Sequence, residues 1–399
     1  MPLRAPDPDP APHPAGGPPV LPELAAHLAA AAGRAAPEPP GGSTALREAV
    51  CGYWERRGLP TGPDRVLVAP GAPALLLALL AALDGAVVLP RPCAQWYAPA
   101  ARLLGHDVHH VPAPAESGGL PDPFGLLESV RRSRRGPQAV RSLTVTLADD
   151  PTGTCPPPEQ LHEVCEAAAD EGLWLIGDET RRDLLHDPHD TVLPSPAEIR
   201  PAETVLLADL RPTLLPASWP VAVARFPDTG AGGRLRDAAL AVLTDVLAPL
   251  AGPVACAALH ALREPEAVRE RLAALTRLHA ALARALHEVV TAAGALCRPP
   301  QAGNHLYVDF EPLRGPLTDH GVTDAPGLER ALARWGVRGG HRFGEDHHEL
   351  RARLSTDVLV GADSADGHRA LAAADPARLP HVEAGLAGLA ADLAAWAPG

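Results

Sequence analysis

Along the middle of the chain, short apolar runs alternate with longer stretches whose apolar positions recur at helical spacing. The runs Arg65–Ala69, Ala86–Leu89, Asp107–Val111, Ser142–Leu147, Leu173–Asp178, Thr204–Ala208 and Val221–Phe226 predict strands. Between them the pattern predicts helices over Ala74–Leu83, Ala98–Leu104, Pro123–Arg132, Pro158–Glu171 and Arg234–Leu247. Strands separated by helices need crossover connections. The expected fold is therefore α/β, with a largely parallel sheet covered on both faces. Leu272, Leu275, Leu278, Leu282, Leu286 and Val289 then predict a long amphipathic helix that faces a core or joins two domains. Beyond Gly294 short strands (Leu306–Phe310, Arg351–Leu354) and helices (Ala325–Trp335, Leu379–Trp396) predict a smaller α+β domain. Before all of this, residues 1 to about 20 are rich in proline, alanine and glycine and read as an extended or disordered tail. A short helix over Pro22–Arg34 follows the tail. The expected organisation is a tail and N-terminal segment over 1–43, a large domain over 44–250, and an interdomain helix with a small domain over 251–399.

A formal charge of −13 argues against nucleic-acid and anionic-membrane partners, which need basic surfaces. No apolar run reaches the roughly 18 residues of a spanning helix, and no secretory signal is visible, so a cytoplasmic location is expected. The six cysteines are scattered, without a Cys-x-x-Cys pair, which suits reduced thiols better than a disulfide scaffold or a zinc site. One compositional fact changes the picture. All 35 basic residues are arginine, and the chain has no lysine. A GC-rich genome depresses lysine, but that bias does not explain the loss of one required by chemistry.

Several motifs stand in a telling order. Leu46-Arg47-Glu48-Ala49-Val50 opens a helix, Arg65–Ala74 is a strand, a Gly71-Ala72 turn and a helix, and Pro92–Tyr97 follows the next strand. Asp150-Pro151-Thr152-Gly153 closes a strand, and Asp178-Glu179 ends another one helix later. Gly303-Asn304-His305-Leu306-Tyr307 and Arg353-Leu354-Ser355 lie near the end. Together they resemble the class I/II aminotransferases, the fold type I enzymes that use pyridoxal phosphate, across about residues 44 to 397. The resemblance implies a homodimer and an amino or keto acid as the small-molecule partner. It also implies roles. Amides at Gly71 and Ala72 would meet the cofactor phosphate at a helix N-terminus, and Asp178 would face the pyridine nitrogen and keep it protonated. Trp96 would cover the ring, and Arg353 would offer a planar fork to the substrate carboxylate.

The pattern breaks where the family's chemistry is concentrated. In the stretch from Thr204 through Pro220, Arg211 stands at the position of the lysine that forms the Schiff base, and Ala217 and Trp219 replace the glycine and arginine of the phosphate segment. Asp150 replaces an asparagine that would donate to the cofactor's phenolate oxygen, Ala94 replaces the stacking aromatic, and Arg181 replaces a tyrosine. A guanidinium is neither a neutral primary amine nor a proton shuttle at ordinary pH, so imine formation and general-base catalysis at that position are both lost. The one amine left is the chain's own N-terminus, beside Pro2, with an ordinary pKa of about 8.

These residues leave three readings open: a repurposed enzyme acting on an amino or keto acid-like molecule, a non-catalytic binding homologue or partner subunit, and an ordinary transaminase as homology would label it. In the first, Arg211, Asp178 and Arg353 line an anion-friendly pocket. Pyridoxal phosphate would be held non-covalently or not at all. No metal is expected: His106, His109 and His110, and His341, His347 and His348 beside Glu345 and Asp346, suit solvated loops better than a ligand set. The run Arg131, Arg132, Arg134, Arg135 reads as a solvated helix end, and no Walker loop, Gly-x-Gly-x-x-Gly or Gly-x-Ser-x-Gly motif occurs.

Overall fold

The computed structural model describes residues 18–34, 36–134, 136–211 and 213–396. Most of the expected tail, together with Arg135 and Pro212, lies outside the described residues. The described residues divide into two units, one formed by Val20–Thr276 with Gln301–Gly303, the other by residues 277–300 and 304–396.

In the first, larger unit the elements run α1 (Pro22–Ala30), α2 (Thr44–Glu55), β1 (Val66–Ala69), α3 (Ala72–Leu83), β2 (Ala86–Arg91), α4 (Tyr97–Leu103) and β3 (Val108–Pro112). They continue with α5 (Pro123–Ser133), β4 (Val140–Thr146), α6 (Pro158–Asp170), β5 (Trp174–Asp178), α7 (Pro196–Ile199), β6 (Thr204–Asp209), β7 (Ala222–Arg225), α8 (Gly230–Asp245) and α9 (Gly252–Leu262). The strands form one sheet in the order β1-β7-β6-β5-β4-β2-β3. Only β7 runs against its neighbours; the other six point the same way. The expected α/β fold with a mostly parallel central sheet is therefore present.

Strand periodicity places helices on both faces. Val205 and Leu207 of β6 pack into a core with α3 and α8, whereas Leu206 and Ala208 turn to the opposite core with α2 and α9. Because both faces are covered, the β6 residues are buried without a break, as the unbroken apolar run required. Local chemistry sets the boundaries. Asp122 accepts from the Gly125 amide at 2.7 Å to start α5, and Thr229 accepts from Gly232 at 2.9 Å to start α8. The Thr229 cap starts α8 four residues before the apolar pattern suggested, through a glycine-rich first turn of low helix propensity. The first predicted helix ends at Ala30 rather than Arg34. Helix α9 has no counterpart among the predicted elements: its alanine-rich sequence offers little polar contrast from which to read a period.

Helix α10 (Glu266–Ala292) begins in the large unit and continues into the smaller one. There it is followed by β8 (Leu296–Cys297), β9 (His305–Asp309), α11 (Arg314–Asp319), α12 (Ala325–Ala331), β10 (Arg338–Gly339), β11 (Arg351–Ser355), α13 (Ser364–Ala372) and α14 (Pro380–Ala394). The four strands form an antiparallel sheet in the order β10-β11-β9-β8. Its core joins Leu282 and Leu286 of α10 to Leu306, Phe310, Leu354 and Leu389. The two-residue strands β8 and β10 are too short to carry a readable alternation. Phe310 is wholly buried in this core. Phe310→Ala is expected to cost about 3–5 kcal/mol, measured as a lowered urea midpoint; an unchanged midpoint would remove Phe310 from the packing that holds the small unit together.

Candidate functional site

Six strands pointing the same way bring their C-terminal ends to one edge of the sheet, where α/β proteins build their sites. Register sets which residues meet there. Thr146, ending β4, lies opposite Asp178, ending β5. Ala69, ending β1, and Asp209, ending β6, flank the same Ala222 of β7 from its two sides. The turn Pro70-Gly71 then leads directly into α3, so the first amide of that helix faces Asp209.

Asp178 is buried, and donors meet both of its oxygens: the Thr180 amide reaches Oδ1 at 2.9 Å and the Tyr97 hydroxyl reaches Oδ2 at 2.6 Å. Burial pushes its carboxyl above the usual range, against the pull of those donors and of Arg181. Tyr97 also lies 3.0 Å from the Thr146 hydroxyl, and burial beside the Asp178 charge raises its phenol well above normal. Trp96 does not lie flat in this corner; its ring meets Tyr97 edge-on, with centroids 4.5 Å apart. Ala94 is buried in the α3 core, and Trp219 packs against the opposite core that holds α2.

Two of the sequence departures form a pair. Asp150, joined to Pro151 by a cis peptide bond, is buried and forms an ion pair with Arg181 at 3.2 Å. A third carboxyl, Asp149, is buried beside them. Its Oδ2 accepts from the Thr152 hydroxyl at 2.7 Å, while its Oδ1 is buried without a hydrogen-bond partner. Gly119 makes room for it, since a Cβ there would stand 2.5 Å from Asp149 Oδ1. Burial pushes the Asp149 carboxyl up to about 7.

In the turn after β6, the Arg211 guanidinium grips Asp209 through Nε on Oδ1 at 2.8 Å and Nη2 on Oδ2 at 2.7 Å. The Arg211 amide adds a bond of 3.0 Å to Oδ1, and the Ala72 amide at the start of α3 donates to Oδ2 at 2.9 Å. Of the residues singled out in the sequence, the structure thus gathers Gly71, Ala72 and Arg211 around Asp209, and places Asp178 at the end of β5 and Asp150 in the turn that follows β4. Arg353 belongs to the small unit, on β11 between Tyr307 and Arg338, with its guanidinium carbon 5.0 Å from the centre of the Phe343 ring. Sequence reasoning gave no role to Asp209, Asp149, Thr180 or Tyr97. Asp209 ends β6 and Arg211 lies in the turn beyond it, so strand alternation gives no signal that pairs them.

The family model for aminotransferase class I and II matches residues 16–208. Over that stretch, just under half of its length, the chain is similar to that family. A probable aspartate/prephenate aminotransferase from Thermus aquaticus is 29% identical over 208 residues, covering 51% of this chain and 52% of that protein. Glutamate–glyoxylate aminotransferase 2 from Arabidopsis thaliana is 30% identical over 145 residues, 35% of this chain and 30% of the relative. The chain thus aligns with about half or less of the length of these curated relatives. Among solved structures, aspartate aminotransferase from Thermus thermophilus with maleate superposes with a TM-score of 0.73 at 24% identity, covering 90% of this chain and 88% of that one. N-succinyldiaminopimelate aminotransferase from Mycobacterium tuberculosis gives 0.72 at 22%, covering 89% and 90%. At these identities the superpositions speak for the fold alone.

Aminotransferases of this family generally depend on pyridoxal phosphate, and the residues present here do not fit it. The chain holds no lysine, and the first α3 amide is bound to a carboxylate rather than free for a phosphate.

The Asp149 carboxyl generates a prediction. Its folded pKa of about 7 exceeds the ordinary 3.8, so the folded state holds the proton more tightly than the unfolded chain. Stability is therefore undiminished below about pH 4 and falls as pH rises toward 7. Asp149→Asn removes that loss. Urea melts at pH 5 and pH 8 are expected to show the variant gaining on the native protein as pH rises, by about 2–3 kcal/mol between the two; parallel pH profiles would contradict it.

Proposed function

We propose that this protein is a repurposed member of the aminotransferase family that binds an amino or keto acid-like small molecule without forming an imine on its own chain. The observation that carries the reading is Arg211. It stands where the family's lysine would be, and its guanidinium is committed to both oxygens of Asp209. Arg353 supplies the planar fork for the ligand's carboxylate, with pyridoxal phosphate absent from the resting protein. A cytoplasmic homodimer completes the proposal; among the described residues no helix is long and apolar enough to cross a membrane.

Two forms of this reading have separate support. A non-catalytic role is favoured by the way the polar groups satisfy one another: Asp150 with Arg181, Asp209 with Arg211, Asp178 with Tyr97. An enzymatic role is favoured by Asp149, a buried carboxyl titrating near neutrality with one oxygen unpartnered, beside a residue that already carries an ion pair. Turnover of a bound amino or keto acid separates them, since only the second form produces any.

The first test is titration of the purified protein with pyridoxal phosphate and pyridoxamine phosphate, read by absorbance and calorimetry. No imine band is expected, and no amino transfer between amino and keto acid pairs. Arg211→Lys alone is expected to leave the spectrum unchanged, because Asp209 still holds the α3 amide. An imine band or transaminase turnover in the native protein would sink the reading. A thermal-shift screen of amino acids and 2-keto acids tests the ligand class: binders are expected to lose at least tenfold in affinity in Arg353→Ala, and equal affinity would place the carboxylate elsewhere.

A further inference from the structure

A helix N-terminus beside a guanidinium is by its chemistry an anion seat: unpaired amides and the positive end of the helix dipole face one way, and a planar cation closes the other side. Here that arrangement is built from the start of α3, a helix of 12 residues, and Arg211. The seat already holds an anion, and the chain supplies it. Asp209 Oδ2 takes the Ala72 amide at 2.9 Å and Arg211 Nη2 at 2.7 Å, and Oδ1 takes Arg211 Nε at 2.8 Å.

We infer that Asp209 is a built-in anion that fills the α3 seat and excludes phosphate groups from it. Three features fix the carboxylate in place. The Asp209 amide donates to the Thr180 hydroxyl at 3.0 Å, anchoring the strand end from β5's side. Its backbone is in register with Ala222 of β7, so the residue cannot retreat without disturbing the sheet. The pair also lies against the turn itself. A Cβ added at Gly71, whose φ is +97°, would stand 3.6 Å from both Asp209 Oδ2 and Arg211 Nη2. Asp209 is buried, so its charge is neutralised by these partners rather than by water. A phosphate entering the seat would lose the Ala72 donor and Arg211 to a competitor that is covalently part of the site and already oriented.

The inference does not depend on whether an imine forms; it concerns the seat alone. It is tested with inorganic phosphate as the probe, against chloride at matched ionic strength, by calorimetry and thermal shift on the full chain. The native protein is expected to show no saturable phosphate binding. Asp209→Ala frees the amide and the guanidinium together, and is expected to bind phosphate at least tenfold more tightly than the native chain, with the gain lost in Asp209→Ala/Arg211→Gln. A folded Asp209→Ala that gains no affinity overturns the inference, as does native binding that disappears in Arg211→Gln. If Asp209→Ala does not fold, hydrogen exchange on the native protein decides. Protection of the peptide covering residues 69–76 is expected to be unaltered by phosphate, and protection that increases with phosphate overturns the inference. An imine band with pyridoxal phosphate would strike the proposed function without touching this result.

Discussion

Parallel register among β4, β5 and β6, and the reversed β7 that returns the chain level to β1, is the constraint on which the site depends. It stacks Thr146, Asp178 and Asp209 at successive strand ends and lifts the start of α3 to the same edge. A slip of one residue in β6 would turn Asp209 into the opposite core and leave the Ala72 amide without its partner. The continuous apolar runs that bury these strands on both faces therefore also position polar side chains that take no part in the core.

Burial at that edge then dictates pairing. A carboxylate removed from water must be hydrogen-bonded, matched to a cation or protonated, and the site uses all three solutions. Asp178 takes the Tyr97 hydroxyl and the Thr180 amide, Asp150 and Asp209 each take a guanidinium, and Asp149 keeps its proton until near neutral pH. Residues that look like unrelated losses when set beside the family's motifs are thus complementary in space. The Arg181 position answers Asp150, and the Arg211 position answers Asp209.

The sequence carried the fold plainly because each strand run and each crossover helix had its own period and its own bounding turn. Seven strands of the large sheet and the long helix α10 could be placed from those periods. Helix α9 could not, being nearly uniform in alanine, and neither could two-residue strands with no alternation to read. For the site, Asp150, Asp178, Arg211 and the Gly71-Ala72 turn were legible because motifs mark them. Asp209 was not, because its role exists only once β7 places β1 and β6 at one level; nothing in the linear order reports that Ala69 and Asp209 share a neighbour. Tyr97 was visible as part of the Pro92–Tyr97 segment, yet its hold on Asp178 depends on β5 ending beside β4.

The interlocked pairs have a consequence for how the site tolerates change. Arg211 and Asp209 neutralise each other, as do Asp150 and Arg181, so removing the cation of either pair strands a buried carboxylate that it was balancing. The two members of a pair therefore behave as one unit: their substitutions are non-additive, and the strand-end edge accepts a joint exchange more readily than either half of it.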